Sequence, residues 1–248
     1  MADTQQYRYE DFWAMRGKQS MWFTLNVSYR LGAYVALLAA KLRVPPNIIS
    51  LMSAAITVIT TLIVFFMGHS NPWSGLVLVI GLQVGYIFDC ADGPLARVTG
   101  QGSSFGILMD KICDLGSGMM FPCVMAFAAG HYYFPYFAHK PDYTLRVLLC
   151  VLFLRVTLSV WMWLKELVVY QADRTQKDPR THTLWWKIKK AVGIYIDEPV
   201  YRLGISLAWI VSLFWEFIIL YSAGVFVIIL VYMLSSKKEM DAMDKRQA

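Results

Sequence analysis

The chain has 248 residues, of which 57% are apolar and only 16% charged, with a net charge of +6 at neutral pH and a mean hydropathy of +0.47. A soluble core of this size carries more polar surface, so the composition describes an integral membrane protein. The positive balance comes with no nucleic-acid module, and the four cysteines (Cys90, Cys113, Cys123, Cys150) lack paired or zinc-like spacing, which excludes a disulfide scaffold; they read as free buried thiols.

Met1 to Glu10 is polar and charged, with no early apolar stretch of the kind a signal peptide needs, so the first span is expected to act as its own insertion signal. Thr24 to Leu42 is apolar but follows Arg16 and Lys18, ends in Lys41 and Arg43, and holds Asn26, Ser28 and Arg30. A crossing here would leave one basic cluster outside. A helix lying in the cytosolic interface is the preferred reading, anchored by Trp13, Trp22 and Phe23, with an ordinary seventh span as the alternative. Pro45-Pro46-Asn47 then marks a break, and proline suits the first turn of the helix that begins there.

Apolar runs near 47–67, 73–95, 105–129 and 145–168 are each long enough to cross about 30 Å of hydrocarbon. A fifth stretch, 199–235, is too long for one span and short for two. Charges decide it. Arg174, Lys177, Arg180, Lys187, Lys189 and Lys190 before the stretch, and Lys237, Lys238, Lys245 and Arg246 after it, place both flanks in the cytosol, which requires an even number of crossings. The stretch is therefore predicted to be a tight hairpin, with Trp209, Phe214, Trp215 and Tyr221 as an aromatic belt around its outer turn and Glu216 at that turn near water. The proposed outer connections, His69 to Pro72 and Ala129 to Tyr143, hold one lysine between them, in keeping with this orientation. The expected fold is an all-α integral membrane protein with six transmembrane helices, an N-terminal interfacial amphipathic helix and both termini cytosolic. It divides into a cytosolic N-terminus with the interfacial helix (1–43), a membrane catalytic domain (44–236) and a cytosolic tail (237–248). No internal repeat or low-complexity tract is visible.

The chemistry is concentrated in one stretch, which reads Asp89-x-x-Asp92-Gly93-x-x-Ala96-Arg97, then eight residues, then Gly106-x-x-x-Asp110-x-x-x-Asp114. Carboxylates at membrane depth cost several kcal/mol each unless paired or metal-bound, so by default they mark a functional site. Helical spacing puts Asp89 and Asp92 on one face at the cytosolic end of the second span, and Asp110 and Asp114 on one face of the third. Gly81, Gly85 and Asp89 recur every fourth residue, as do Gly106, Asp110, Asp114 and Gly118, so each acidic face is also a small-residue face that suits close helix packing.

Four clustered aspartates repel one another, and two divalent cations would offset their charge. Oxygen-only ligands favour Mg²⁺ or Mn²⁺, and the histidines are expected elsewhere: His69, His131 and His139 on the outer side, His182 in the basic loop. Paired hard cations beside Arg97 suit a diphosphate, with Gly93 leaving room, Ser103 and Ser104 offering hydroxyls, and Gly100 and Gly102 allowing a tight turn. The plainer reading of Gly93, Gly106 and Ala96 is helix packing, and for Ala96 it is preferred.

Eight fixed residue types at fixed spacing coincide by accident in about one of ten billion placements, so the pattern is specific. It is identified as the signature of the CDP-alcohol phosphatidyltransferase family, matched at every position over about 26 residues. The six-span layout, the interfacial helix and the Pro46-Asn47 start of the first span also resemble the family. The resemblance implies a metal-dependent membrane enzyme that cleaves a CDP-linked substrate, releases CMP, joins the remaining phosphoryl group to an alcohol and forms a homodimer. It implies that Asp89, Asp92, Asp110 and Asp114 hold two metal ions, that Asp114 also accepts a proton, and that Asp92, Gly93, Arg97 and Ser103 fall at the CDP group. Asn47 and Ser50 match more loosely as nucleotide contacts.

Arg155 interrupts the fourth span about ten residues, or 15 Å, below its cytosolic end, close to the depth expected for Asp89 and Asp114. It is a candidate to hold an anionic acceptor such as an alcohol phosphate, weighed equally against neutralising surplus carboxylate or packing between helices. Arg202, with Lys187, Lys189 and Lys190, is a supplementary candidate, although the loop lysines read better as topology signals. Transfer from CDP-diacylglycerol to a polar alcohol is the preferred reaction, in a cell membrane with the site facing the cytosol. The alternative is a soluble CDP-alcohol with a lipid acceptor, which Asn26-x-Ser28 and Thr99-Gly100-x-x-Ser103 faintly resemble. A membrane prenyltransferase would not demand Gly93, Ala96 and Arg97 at this spacing. A divalent-cation transporter would need a second acidic site along a path.

Overall fold

The computed structural model describes residues 7–17, 22–68, 70–114, 146, 148–154, 156–157, 159–161, 163–164 and 198–247. Regular structure among the described residues is helical throughout, without strands. Helix α1, Tyr9–Ala14, has six residues, too few to hold a helix in isolation, and depends on docking. Phe12 supplies it: fully buried, it enters a cluster with Ala33, Ala36, Ala39, Ala40, Ile49, Ala91 and Leu95. At the other end of the first turn, the Arg8 N–H donates to the Asp11 carboxylate at 2.8 Å.

Helix α2, Tyr29–Lys41, continues a helical run from Trp22 through a π-helical turn at Thr24–Ser28. Its small face, Gly32, Ala33, Ala36, Ala39 and Ala40, lies against α4, while Leu31, Tyr34, Leu38 and Leu42 point outward. A side chain at Gly32 would meet the Cys90 backbone at 3.1 Å. Small residues on the inner side thus let two backbones approach.

Extended Pro45 leads into α3, Pro46–Met67, with proline at the first helical position, where its missing N–H has no partner to lose. Helix α4 is Ser74–Thr99, with Pro94 inside it; Gly100 ends it in the left-handed region (φ 68°), its N–H bonded to the Ala96 carbonyl. Ser53, Thr57, Thr60, Thr61 and Val64 form the buried stripe of α3. The threonines occupy the spaces left by Gly81 and Gly85 of α4: a Cβ at Gly85 would lie 2.6 Å from the Thr57 hydroxyl, and one at Gly81 would overlap Thr60. The glycine repeat of the second span therefore seats α3. The length of the third span that was expected to pack there, beyond residue 114, lies outside the described residues.

Where the third span was expected, α5 is helical at 104–114, with Ser103 as its N-cap: the Gly106 N–H donates to the Ser103 hydroxyl at 3.0 Å. Helix α6, around Leu148–Trp161, contributes Val151 to the main core. Helix α7, Glu198–Ile210, turns at 211–213, with Ser212 at φ 63°, into α8, Phe214–Gln247. Two helices joined by a short turn lie where the hairpin was expected over 199–235, with Glu216 exposed just past the turn; among their described residues only Phe214–Val231 is long and apolar enough to cross a membrane.

The aromatic belt is not there. Trp209, Phe214 and Trp215 are each 1% exposed and Tyr221 is 4% exposed, packed with Leu78, Leu82, Ile205 and Ile218. A three-residue turn leaves the rings nowhere to splay, so Trp209 and Phe214 meet edge to face at 6.0 Å, and Trp209 Nε1 donates to the Ser74 hydroxyl at 3.1 Å. Sequence alone does not distinguish an apolar ring facing lipid from one facing a neighbouring helix.

Among the described residues, three helical segments are long and apolar enough to cross a membrane: Pro46–Met67, Ser74–Thr99 and Phe214–Val231. The expected spans 105–129 and 145–168 run into residues outside the described set, as does the basic segment 171–190, and all four histidines lie outside it. Among the described cysteines, all free, Cys90 is buried, Cys113 half-buried and Cys150 exposed.

Candidate active site

The polar end of α4 is where four elements meet. Asp89 and Asp92 project from α4 and Asp110 from α5, each offering a carboxylate oxygen within 4.8 Å of the others. Asp114, one turn further along α5, is a charge neighbour of Asp89. The two acidic faces predicted to oppose one another do so. Their separation matches what a hard divalent cation spans with oxygen ligands, and no histidine or thiolate shares the cluster among the described residues.

The start of α3 closes one side. Ser50, 4% exposed, donates to Asp92 Oδ2 at 2.5 Å and fixes that carboxylate, which is itself 9% exposed. Asn47, one turn earlier, stands against Gly106, where a Cβ would lie 2.9 Å from Asn47 Oδ1. Gly106 thus admits Asn47 to the cluster's edge, beside the Ser103 cap. Gly93 admits the Arg97 guanidinium in the same way, with a Cβ there meeting Nη2 at 3.0 Å and Nη1 at 3.2 Å. Arg97 is exposed, and its Nε donates to the Met15 carbonyl at 2.9 Å. On α5, Lys111 lies 3.8 Å from Asp110 and 5.8 Å from the Trp163 ring.

A family model, CDP-alcohol phosphatidyltransferase, matches residues 43–233. The chain belongs to that family.

Relatives include a phosphatidylinositol phosphate synthase of Corynebacterium glutamicum, 37% identical over 91 residues, which cover 36% of this chain and 39% of the relative. The synthase of the same name from Mycolicibacterium smegmatis is 35% identical over 101 residues (40% and 43%), and that of Mycobacteroides abscessus 31% over 85 residues (34% and 36%). The chain spans about two fifths of the length of these relatives. The apolar helices are in keeping with a membrane protein of this family.

Around the family motif, the structure adds residues that spacing did not indicate. Glu198, at the head of α7, is a charge neighbour of both Asp89 and Asp114. It accepts from Arg202 Nη2 at 2.7 Å and Nε at 3.2 Å. Arg202 Nη1 donates to the Leu82 carbonyl at 3.1 Å and to Thr57 at 3.3 Å, and its guanidinium lies 5.2 Å from the Tyr86 ring centre. Arg202 is 5% exposed, so the cation expected to face an acceptor has all three guanidinium nitrogens engaged within the helix pack. The sequence signal for this arrangement is the four-residue spacing of Glu198 and Arg202 at the start of an apolar run. Arg155 lies outside the described residues.

Proposed function

We propose that the protein transfers a phosphatidyl group from CDP-diacylglycerol to a polar alcohol phosphate and releases CMP, and that inositol phosphate is the acceptor to test first. The observation that carries this reading is the convergence of Asp89, Asp92 and Asp110 within 4.8 Å beside Ser50 and Arg97, in a chain of this family. The relatives' shared name supports the choice of acceptor. The proposal extends to six spans with an interfacial N-terminal helix, both termini in the cytosol, the domain limits 1–43, 44–236 and 237–248, and a site facing the cytosol.

The all-oxygen donor set fits two Mg²⁺ or Mn²⁺ ions, which Asp89, Asp92, Asp110 and Asp114 would hold. When bound, such ions stabilise negative charge on the diphosphate. In this reading Ser50 keeps Asp92 in one orientation. The Arg97 fork, lying in the space over Gly93, takes a phosphate oxygen of the CDP group, with Ser103 and Asn47 at the nucleotide's edge. Asp114 removes the proton of the acceptor hydroxyl. The freed oxygen bonds to the lipid-linked phosphorus as the bond from that phosphorus to CMP breaks, and CMP leaves with the electron pair. No covalent enzyme intermediate is needed. Arg155 is assigned to the acceptor, and Arg202 supports the site through its pairing with Glu198.

The test is CMP release by detergent-purified protein from CDP-diacylglycerol with Mg²⁺ or Mn²⁺, across inositol phosphate, glycerol phosphate, inositol and serine, with Asp114→Asn as control. Release that depends on one acceptor and disappears in Asp114→Asn is the expected result. Turnover of a soluble CDP-alcohol with a lipid acceptor, and none of CDP-diacylglycerol, would reverse the donor assignment.

A further inference from the structure

Arg97 is exposed at the end of a helix, a position where an arginine ordinarily samples many rotamers, yet here two features hold it. Its Nη atoms lie in the space over Gly93, and its Nε is bonded to the Met15 carbonyl, 82 residues away in sequence. Met15 is the C-cap of α1. The last carbonyls of a helix have no intrahelical partner and carry its negative dipole end, so a guanidinium is favourable there. Arg16 Nη1 takes the Trp13 carbonyl at 2.7 Å, and Arg97 takes that of Met15. Helix α1 is thus capped in part by a side chain of α4. It has little stability of its own, and Phe12, fully buried among α2, α3 and α4 residues, determines where its C-terminus sits.

We propose that α1 is a positioning element for the nucleotide: Phe12 docks it so that the Met15 carbonyl holds Arg97 Nε and leaves both Nη groups directed over Gly93 to receive a phosphate of the CDP group. This rests on the assignment of Arg97 to CDP. An arginine already held in its binding rotamer loses less freedom when the phosphate arrives, so docking of α1 and binding of the nucleotide strengthen each other. Phe12 and Met15 touch no substrate; they act through Arg97.

The full-length protein in detergent is titrated with CMP and Mg²⁺ by calorimetry, as wild type, Phe12→Ala, Phe12→Leu and Arg97→Ala, alongside KM values for donor and acceptor. Loss of one charge-assisted hydrogen bond corresponds to about tenfold in affinity, so Phe12→Ala is expected to weaken CMP binding and raise the donor KM by about that factor. Phe12→Leu, which refills most of the pocket, recovers the affinity, and the acceptor KM is unchanged throughout. A parallel rise in acceptor KM would mean general loosening and would overturn the proposal. Unchanged CMP affinity in Phe12→Ala, where Arg97→Ala abolishes binding, overturns it while leaving the donor site intact. Full affinity in Arg97→Ala removes the donor-site assignment itself. Hydrogen exchange on the wild type tests the proposal independently of any variant: amides of residues 9–16 gain protection when CMP and Mg²⁺ are added, and no gain would refute the coupling.

Discussion

Ser50 shows how much of the site depends on a single hydroxyl. It sits on the first turns of α3, 4% exposed, and its hydrogen bond to Asp92 crosses from one helix to another. Groups that orient metal-binding carboxylates typically contribute 10- to 100-fold in metal affinity. Ser50→Ala is therefore expected to raise the Mg²⁺ concentration for half-maximal CMP release by at least about tenfold, with maximal rate largely retained. A metal titration checks it, and an unchanged midpoint would reduce Ser50 to packing. The four aspartates were legible because their spacing is fixed along two helices, and helical geometry alone brings each pair onto one face. Glu198 was not. Its nearness to Asp89 depends on how α7 packs against α4, through contacts such as Gln83 Nε2 to the Pro199 carbonyl at 3.0 Å, which no local spacing encodes. Arg202 was legible as a cation at depth, but its partners were not, because Thr57 and Leu82 come from two other helices.

Among the elements, the α3–α4 contact has the least tolerance. Between apolar helices in lipid there is no hydrophobic gain from association, so close packing and polar contacts must hold them. The glycines of α4 and the threonines of α3 supply both. Gly85→Val would drive a branched side chain into Thr57, the Ser53 carbonyl (3.3 Å from a Cβ) and the Arg202 guanidinium, and is expected to destabilise the protein by about 1–3 kcal/mol. A thermal unfolding series in detergent measures this, with Gly102→Val, where nothing lies within 4 Å, as the neutral comparison. A melting temperature lowered equally by both would remove the special role of the α3–α4 seam. At this scale the sequence showed that Gly81 and Gly85 face a helix but not which one, since the matching bulk lies on α3, with Thr57 and Thr60. Likewise the 199–235 hairpin followed from length and charge, whereas the inward turn of Trp209 and Trp215 is set by the space left between α4 and α7.

For the whole molecule, the charge pattern makes a directional statement. In a background with the four native cysteines replaced by serine, Glu216→Cys is expected to react with a membrane-impermeant maleimide from outside intact cells. Lys238→Cys is expected to react only after permeabilisation. The reverse pattern would invert the topology and put the carboxylates on the other face. The length of α4 has a further consequence. Its 26 residues measure about 39 Å, several ångströms more than the hydrocarbon layer, and Asp92 lies seven residues, or about 10 Å, back from Thr99. Its carboxylates thus stand near the level where a lipid's headgroup joins its chains. A donor bearing its diphosphate on acyl chains can reach them by sideways diffusion without leaving the bilayer, while the acceptor arrives from water. With the proposed lipid donor, the two substrates obey different concentration laws: in mixed micelles, the rate is expected to follow the donor's mole fraction in the surface and to fall on dilution with inert detergent at constant bulk donor, while the acceptor's dependence stays volumetric.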